Sequence, residues 1–351
     1  MRNTLKLLII LGFLFRIATY TQSLPEGEIV EIHGRVSREV TTYTYYQKII
    51  VNNYEIYVSR FPEITYGDTV TIQASVEDGE LTDAKVTSYS KGKGVFALRE
   101  SLLAQISKSL PPNDAALVSG ILLGSKKLLT NPFEQKLINS GTIHIVVASG
   151  TNVTLTAAFL LALLLPFITR DKAIVIALGG VWVYVALAGF DPPLVRAAIM
   201  GSVAFSAQAF GRLSDSLSAL SVSALSMLVI NPLWISDVGF QLSLMATVSL
   251  ILFEQYLNSK LHFVPHVLRQ DLSTTLAAQI GVAPLLMYYF DRVSIISPFV
   301  NVLVLWTVVP IMIISSIGLF ISLLLPVVGV FVLSLTFIFT RYFITIVSIF
   351  G

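Results

Sequence analysis

The chain has 351 residues, of which 54% are hydrophobic and 13% are charged, and its formal net charge is +2. Soluble domains carry about 25% charged residues, so this composition excludes an ordinary water-soluble globule and predicts a polytopic membrane protein. Cysteine is absent, which excludes disulfides, thiolate nucleophiles and cysteine-ligated metal centres.

The N-terminal part combines an apolar run with an acidic segment. Residues 4–20 are apolar and predict a transmembrane helix over residues 1–22, with a cleaved signal peptide as the alternative. Residues 26–93 carry eleven acidic and seven basic residues. Under either interpretation of the apolar run, this acidic segment is exported.

The exported segment shows the period of two that is typical of β-strands. Clear examples are residues 48–51, 54–58 and 70–74, and Asn52-Asn53 predicts a tight hairpin turn between the first two. About five short strands in some 65 residues are typical of a small barrel of the OB type. We therefore predict an extracytoplasmic OB-like β domain over residues 26–93, inserted into an otherwise all-α membrane bundle.

The rest of the chain predicts helices. Residues 95–110 form an amphipathic, interfacial pattern, with apolar positions opposite Arg99, Gln105 and Lys108. Residues 114–141 are too short and polar for a clean span and predict a re-entrant or interfacial helix pair, so residues 95–141 form one unit. Pro132 is expected to start the second helix of this pair.

A transmembrane domain is predicted over residues 142–351. Its candidate spans bring the total to about eight to ten transmembrane segments. They lie near residues 143–168, 173–189, 194–210, 217–235, 238–258, 272–290, 294–325 and 327–350, and the segment 294–325 is too long for one simple span.

Loop charges predict the orientation of the bundle in the membrane. Basic residues fall in alternate loops and near the N-terminus, which places the N-terminus in the cytoplasm and residues 26–93 outside. These basic residues are Arg2, Lys6, Arg170, Lys172, Arg212, Lys260 and Arg269.

Several polar residues occur within the candidate spans or at their ends. Such groups usually face a bundle interior or a water-filled cavity, so together they predict a polar path. Simpler interpretations remain open: helix caps for Asp191 and Asn231, snorkelling for Arg196, and small-residue helix packing for Ser149 and Gly150. Asp237 and Gln241, one helical turn apart, are harder to explain in this way.

Catalytic and metal-binding interpretations are weaker. Ser149 with His144 as its base would suit a hydrolase, but five positions on one helix place the two side chains about 140° apart. His262 and His266 have metal-like spacing, but Pro265 interrupts the helix and no third ligand is evident. We therefore predict no catalytic residue, no metal and no cofactor.

Three ordered blocks resemble the ComEC/Rec2 competence proteins over about residues 95–290. The resemblance implies an inner-membrane channel that carries one DNA strand into the cytoplasm during natural transformation. The blocks are LVSGILLGSKKLLTNPFEQKLINSGTIHIVVASGTNV, PPLVRAAIMGSVAFSAQAFGR and NPLWISDVGFQLSLMA.

The family motifs place the implied conduit on particular residues. Asn152 departs from the family, because many relatives have a second histidine there. The motif residues are Gly141, His144, Ser149, Gly150, Arg196, Ala197, Met200, Gly211, Arg212, Asn231, Pro232, Asp237, Gly239, Phe240, Gln241 and Ser243. The expected conduit-lining residues are His144, Ser149, Gly150, Asn152, Arg196, Arg212, Asp237 and Gln241.

Candidate DNA contacts lie outside the conduit. We expect Tyr43 and Tyr45 on one strand face and Lys48 on the other, although core or interface roles for the tyrosines are an equal alternative. Lys126 and Lys127 are further candidates. The acidic character of residues 26–93 opposes loose binding of a polyanion.

The resemblance implies several partners. They are single-stranded DNA, membrane lipid, a DNA receptor, a cytoplasmic translocation ATPase and a separate nuclease. Many relatives append a metallo-β-lactamase-like domain, but this chain stops at Gly351 and has no H-x-H-x-D-H motif, so we expect no nuclease activity. Alternatives are a transporter for another solute, an intramembrane hydrolase and a degenerate scaffold protein.

Overall fold

A computed structural model describes residues 25, 27–77, 80–147, 149–209 and 215–351. The N-terminal helix predicted over residues 1–22 lies outside these ranges, and so does Arg212. The described chain begins with a β region and continues as a mostly helical region.

The β region contains two antiparallel sheets of three strands each. One sheet has the order β1-β5-β6 and the other β2-β3-β4. The strands are β1 Ile29–Arg35, β2 Thr41–Thr42, β3 Tyr46–Val51, β4 Tyr54–Ser59, β5 Thr69–Glu77 and β6 Glu80–Ser90. Within the described residues the two sheets do not close into a barrel, so the β-strands are confirmed and the OB-like barrel is not.

Alternating burial along the strands builds the core between the sheets. In β3, Ile49 and Val51 are fully buried, and in β4 Ile56 and Val58 lie beside them. Asn52 and Asn53 connect these strands with φ angles of 51° and 69°, which confirms the predicted hairpin turn. Asparagine tolerates this left-handed conformation better than most residues do.

The described helical region consists of α-helices and one 3-10 helix, Pro232–Ser236. Pro132 lies in the first turn of its helix, as predicted. In chain order the α-helices are α1 Val95–Ser109, α2 Pro112–Leu123, α3 Asn131–Asn139, α4 Ile143–Val146, α5 Gly150–Leu164, α6 Arg170–Ala188, α7 Pro192–Ala209, α8 Ser216–Ile230, α9 Val238–Lys260, α10 His266–Phe290, α11 Ser297–Ser322, α12 Pro326–Ser334 and α13 Phe337–Phe350.

Four helical segments are long and apolar enough to cross a membrane. They are α6, α9, α11 and the α12–α13 pair, while α5 and α8 are shorter apolar helices. This finding agrees with the composition, which predicts a polytopic membrane protein. The total of eight to ten segments stays a prediction.

Two predicted spans are interrupted and a third is continuous. The span predicted over residues 143–168 is broken, because the backbone is extended at Val147 and Ser149. The span over residues 327–350 is divided by a turn between α12 and α13. By contrast, α11 is one helix of 26 residues although Pro310 lies inside it.

Helix α2 is the most enclosed element of the helical region. Every residue from Asp114 to Leu123 is buried, and α2 packs against α1, α11 and α13. Its 12 residues extend about 18 Å, less than the roughly 30 Å hydrocarbon core of a bilayer. This burial favours the re-entrant interpretation of this segment over the interfacial one.

The β region contacts one end of the helical region. The Tyr66 hydroxyl donates to the Ala186 carbonyl (3.2 Å), near the end of α6, and Asn231, which follows α8, donates through Nδ2 to Asn53 Oδ1 (3.0 Å). The connections at residues 165–169, which precede α6, and at residues 261–265, which follow α9, lie at the opposite end of the helical region. The β region therefore covers the end at which α7 and α9 begin.

Candidate functional site

Arg196 is a residue of α7, and its guanidinium lies inside the helical region against α9. Its Nε donates to Ser243 Oγ (2.9 Å), and its Nη1 donates to Thr247 Oγ1. Ser243 and Thr247 are four residues apart and so project from the same face of α9. Arg196 is only 8% exposed, and therefore the snorkelling interpretation is wrong.

The first turn of α5 lies directly beside this guanidinium. A Cβ atom at Gly150 would lie 3.6 Å from Arg196 Nη2 and 3.3 Å from Ala197 Cβ. Glycine at this position therefore allows α5 to approach α7 closely. Of the predicted conduit residues, the structure brings Ser149, Gly150 and Arg196 together.

Ser149 and His144 do not form a catalytic pair. They do not share a helix, because the chain is extended between α4 and α5, so the helical-wheel argument against the pair starts from a wrong premise. The Ser149 hydroxyl instead donates to Asn152 Oδ1 (3.2 Å), while His144 is exposed on α4. The hydrolase interpretation gains no support.

Asn152 fastens α5 to the enclosed helix α2. Its side chain is 1% exposed, and Nδ2 donates to the Ile121 carbonyl (2.7 Å). This contact satisfies a carbonyl near the C-terminal end of α2. A lining role for Asn152 stays a prediction, and the observed contact is between helices.

Asp237 and Gln241 organise the start of α9. Asp237 caps the helix, because Oδ1 accepts from the Phe240 amide (2.9 Å), and Oδ2 accepts from Arg38 Nη1 (2.7 Å). Gln241 donates to the Ile235 carbonyl and accepts from the Tyr289 hydroxyl, each at 2.8 Å. Helix α9, whose Ser243 and Thr247 accept from Arg196, is thus fixed to the β region through Asp237.

A second group of charges, here called the domain joint, connects the β region to α1 and α2. Arg99 Nη2 donates to the Leu123 carbonyl (3.2 Å) and lies 3.4 Å from Glu39 Oε1. The Arg99 guanidinium also lies 5.0 Å from the centre of the Tyr66 ring. The amphipathic pattern predicted Arg99 on the polar face of α1. The prediction is wrong, because Arg99 is 1% exposed and is buried on the same helix as Leu103.

The two lysines predicted to contact DNA belong to this domain joint. Lys127 Nζ lies 3.3 Å from carboxylate oxygens of both Glu63 and Glu100. Burial lowers the pKa of Lys127, but the two carboxylates outweigh it and the pKa is raised overall. The Lys126 backbone amide donates to Glu39 Oε2 (2.7 Å). DNA contact by either lysine stays a prediction.

Asp191 lies in the loop before α7, where its carboxyl group interacts electrostatically with Arg38 and with Arg99 of the domain joint. Its burial raises the pKa of the carboxyl group to about 6, against the opposing attraction of Arg38 and Lys126. Asp191 therefore becomes charged near neutral pH in a place where charge is unfavourable.

The outer face of the β2-β3-β4 sheet carries an aromatic group that differs from the predicted one. The Tyr43 and Tyr46 rings stack with centres 4.5 Å apart, and Tyr57 meets Tyr46 at 5.7 Å. Residues 44 and 45 form a bend, so Tyr43 and Tyr45 do not lie in one regular strand, and strand alternation gives no basis for the shared face predicted for them. Lys48 lies opposite Tyr57 in the sheet register, and its Nζ is 2.7 Å from Glu55 Oε2.

Arg38, Glu39 and Arg99 were not singled out as site residues from the sequence. Arg38 and its partner Asp237 are 199 positions apart, so no local pattern links them. A signal did exist for Arg99, because it is four and seven positions from Leu103 and Ile106 and therefore shares their helix face. Within the described part of the chain, no group of three or more histidine, aspartate or glutamate residues could hold a metal ion.

Comparisons with known proteins identify the family of this chain. A family model described as "Competence protein" matches residues 121–351. ComE operon protein 3 of Bacillus subtilis (strain 168) is 30% identical over 210 residues, which cover 60% of this chain and 26% of that relative. No solved structure matches the chain. Because the family model covers more than half of the sequence, the chain belongs to the ComEC/Rec2 family of competence proteins.

Proposed function

We propose that this protein is an inner-membrane channel that moves single-stranded DNA into the cytoplasm during natural transformation. Membership of the competence family supports a role in DNA uptake. The observation that carries the finer proposal is Arg196, a buried cation held by hydroxyl groups between α7 and α9. An anionic strand that crosses a bilayer needs hydrated and weakly attractive groups along its path.

The position of the β region supports an entry route from outside. It covers the end of the bundle at which α7 and α9 begin, and Arg38 is its direct contact with the Asp237 cap. The tyrosine face of Tyr43, Tyr46 and Tyr57 remains exposed and presents rings on which bases could stack. We assign this face a first contact with the strand, before the strand reaches Arg196.

The orientation follows the loop charges, with the β region extracytoplasmic and the connection after α9 in the cytoplasm. Because the native chain has no cysteine, single cysteines can be placed at will. Ser90→Cys and Ser259→Cys are both at exposed positions, in the β region and at the end of α9. An impermeant thiol reagent applied to intact cells should label the first variant and spare the second. The reverse pattern would invert the orientation.

The function itself is tested by a clean deletion and complementation. Cells that lack the protein should bind labelled DNA at the surface but fail to accumulate the internalised strand, and the wild-type gene should restore accumulation. A gene that carries Ser236→Ala serves as a control for complementation and should also restore accumulation, because Ser236 is exposed at the end of the 3-10 helix before Asp237. Normal strand accumulation in the deletion would refute the channel assignment and favour transport of another solute.

Separate partners are part of this proposal. A DNA receptor, a cytoplasmic translocation ATPase and a separate nuclease would supply capture, driving force and removal of the second strand. We assign no nuclease step to this chain. Purified protein incubated with labelled duplex under magnesium, manganese and zinc should leave the duplex intact. Degradation that persists through repurification and is lost on mutation of chosen carboxylates would contradict this assignment.

A further inference from the structure

Arg196 differs from the other deeply buried arginine because it has no acidic partner. No ion pair among the described residues includes Arg196, whereas Arg99 is paired with Glu39. The protein partners of Arg196 are two hydroxyls and, at 3.4 Å, the Met200 sulfur. A buried cation without a counter-charge is strongly unfavourable. Its local environment therefore favours an anion that the protein chain does not provide.

The Nη2 atom of Arg196 points toward the start of α5. It makes no hydrogen bond with any residue of the described ranges, while Nε and Nη1 are both engaged. Nη2 lies 3.6 Å from the Cβ position of Gly150, the first residue of α5. The free side of the guanidinium thus faces the first turn of a helix of 15 residues.

That helix start is uncapped by any side chain. Ser149 occupies the N-cap position, but its hydroxyl donates to Asn152 Oδ1 and makes no capping bond. The Asn152 amide of this first turn donates to the Ser149 carbonyl (3.1 Å), whereas the Gly150 and Thr151 amides have no helical acceptor. The helix dipole adds partial positive charge at this end. Two independent sources of positive potential, the uncapped amides and an unpaired buried guanidinium, therefore meet at Gly150.

We infer that the first turn of α5 and Arg196 Nη2 together bind a phosphate-type oxyanion. In the context of the proposed function, on which this inference rests, the oxyanion is a phosphodiester group of the passing strand. Hydroxyl groups hold Arg196 in orientation without neutralising it, so the site attracts phosphate and still releases it. The headgroup phosphate of an anionic lipid has the same chemistry and is the other possible source.

Charge-selective cysteine modification tests the site directly. A Ser149→Cys variant of the full chain is treated with the anionic reagent sulfonatoethyl methanethiosulfonate and with its cationic trimethylammonioethyl counterpart. The cysteine thiolate attacks both reagents and displaces the same methanesulfinate leaving group, so the ratio of their rates reports local potential and not the acidity of the thiol. We expect the ratio to favour the anionic reagent and to fall about tenfold in the Arg196→Gln background, since a unit charge acts over a few ångströms.

Two controls keep this result interpretable. A Ser236→Cys variant should show the same ratio of rates with and without Arg196→Gln, because Ser236 is exposed at the end of the 3-10 helix before α9. If Arg196→Gln fails to fold, Thr247→Glu supplies a carboxylate at an existing partner of Arg196 and should abolish the preference in the same way. Equal rates for both reagents at Ser149→Cys, or no reaction with either, would overturn the site.

Protection experiments identify the source of the phosphate. Inorganic phosphate and a single-stranded oligonucleotide should slow the anionic reagent in nanodiscs of neutral lipid. If phosphatidylglycerol nanodiscs protect Ser149→Cys and the oligonucleotide does not, the site takes lipid phosphate and the phosphodiester assignment fails.

Failure of the site and failure of the function are separable. If the rate ratio responds to Arg196→Gln but strand uptake does not require the protein, the proposed function fails and the oxyanion site stands. If uptake requires the protein while the ratio ignores Arg196→Gln, the channel stands and this site is wrong.

Discussion

The domain joint and the surroundings of Arg196 differ in how their positive charges are partnered. At the joint, Arg99 and Lys127 each lie within 3.4 Å of a glutamate oxygen. Around Arg196, the hydrogen-bond partners are the neutral side chains of Ser243, Thr247 and Met200. Ion pairs of this kind fix one part of the protein to another. An unpaired charge in a comparably buried place retains its potential for a ligand.

This contrast separates the effects of mutation. Residues of the joint should affect stability first and DNA uptake as a consequence. Arg196 should affect uptake with little loss of stability, because the Thr247 hydroxyl keeps its hydrogen bond to the Ser243 carbonyl (2.9 Å) when the guanidinium is removed. The predictions below test this separation, from the largest effect to the smallest.

Arg99→Ala should produce the largest loss of stability. The change removes an ion-pair partner of Glu39, whose side chain is 25% exposed, and the donor to the Leu123 carbonyl, which leaves a gap at a position that is 1% exposed. Breaking a buried pair from one side costs about 3–5 kcal/mol. Thermal unfolding of detergent-purified protein measures the loss, with Lys108→Ala, an exposed position on the same helix, as the control. An unchanged Tm would contradict the structural role of the joint.

Asp191→Asn should stabilise the protein near neutral pH. The folded-state pKa of Asp191 is raised to about 6 from 3.8, so its charged form is disfavoured in the folded state above pH 6. The penalty is fully present above that pKa, falls as the pH drops toward the unfolded value, and is absent below it. A shift of about two pKa units corresponds to at most roughly 3 kcal/mol.

The measurement is the Tm of both proteins across pH 4 to 8. The stabilising effect of Asp191→Asn should be clear at pH 7.5 and vanish near pH 4. Asp291→Asn provides the control, because Asp291 is an exposed loop residue at φ 51°, a conformation that asparagine also tolerates. A stabilisation that did not change with pH would show that the effect has another cause.

Arg38 and Asp237 should show a smaller, pairwise effect. Arg38→Ala breaks the ion pair alone, whereas Asp237→Ala also removes the cap of α9, which typically costs about 1 kcal/mol. Asp237→Ala should therefore destabilise more than Arg38→Ala. In a double-mutant cycle the coupling energy should be about 1 kcal/mol, as expected for a partly exposed pair. Strict additivity of the two changes would mean that the pair does not hold the β region on α9.

Much of the fold can be predicted from the sequence because it depends on local pattern. Alternation predicted the β-strands, and two asparagines with tolerance for positive φ predicted the turn at Asn52 and Asn53. Closure of the sheets could not be predicted in this way, because it depends on contacts between distant strands. The break before Ser149 was hidden by the apolar residues around it, and apolar composition says little about interruptions in a helix.

The candidate site shows the same limit. The family motifs selected Arg196, Asp237 and Gln241, and the structure gives each a defined set of partners. No sequence pattern could reveal that Arg196 faces Gly150 or that Asp237 binds Arg38, because these contacts join segments far apart in the chain. The lack of an acidic partner for Arg196 is likewise a property of the packed helices.

The most direct test of the account is uptake of labelled DNA by cells that carry Arg196→Gln, with the membrane level and Tm of the variant measured in parallel. We predict that accumulation of the internalised strand falls at least about tenfold, equivalent to roughly 1.4 kcal/mol, while the membrane level and Tm stay close to those of the wild type. Wild-type uptake by a stably folded Arg196→Gln protein would contradict the claim that this unpaired charge serves the passage of DNA.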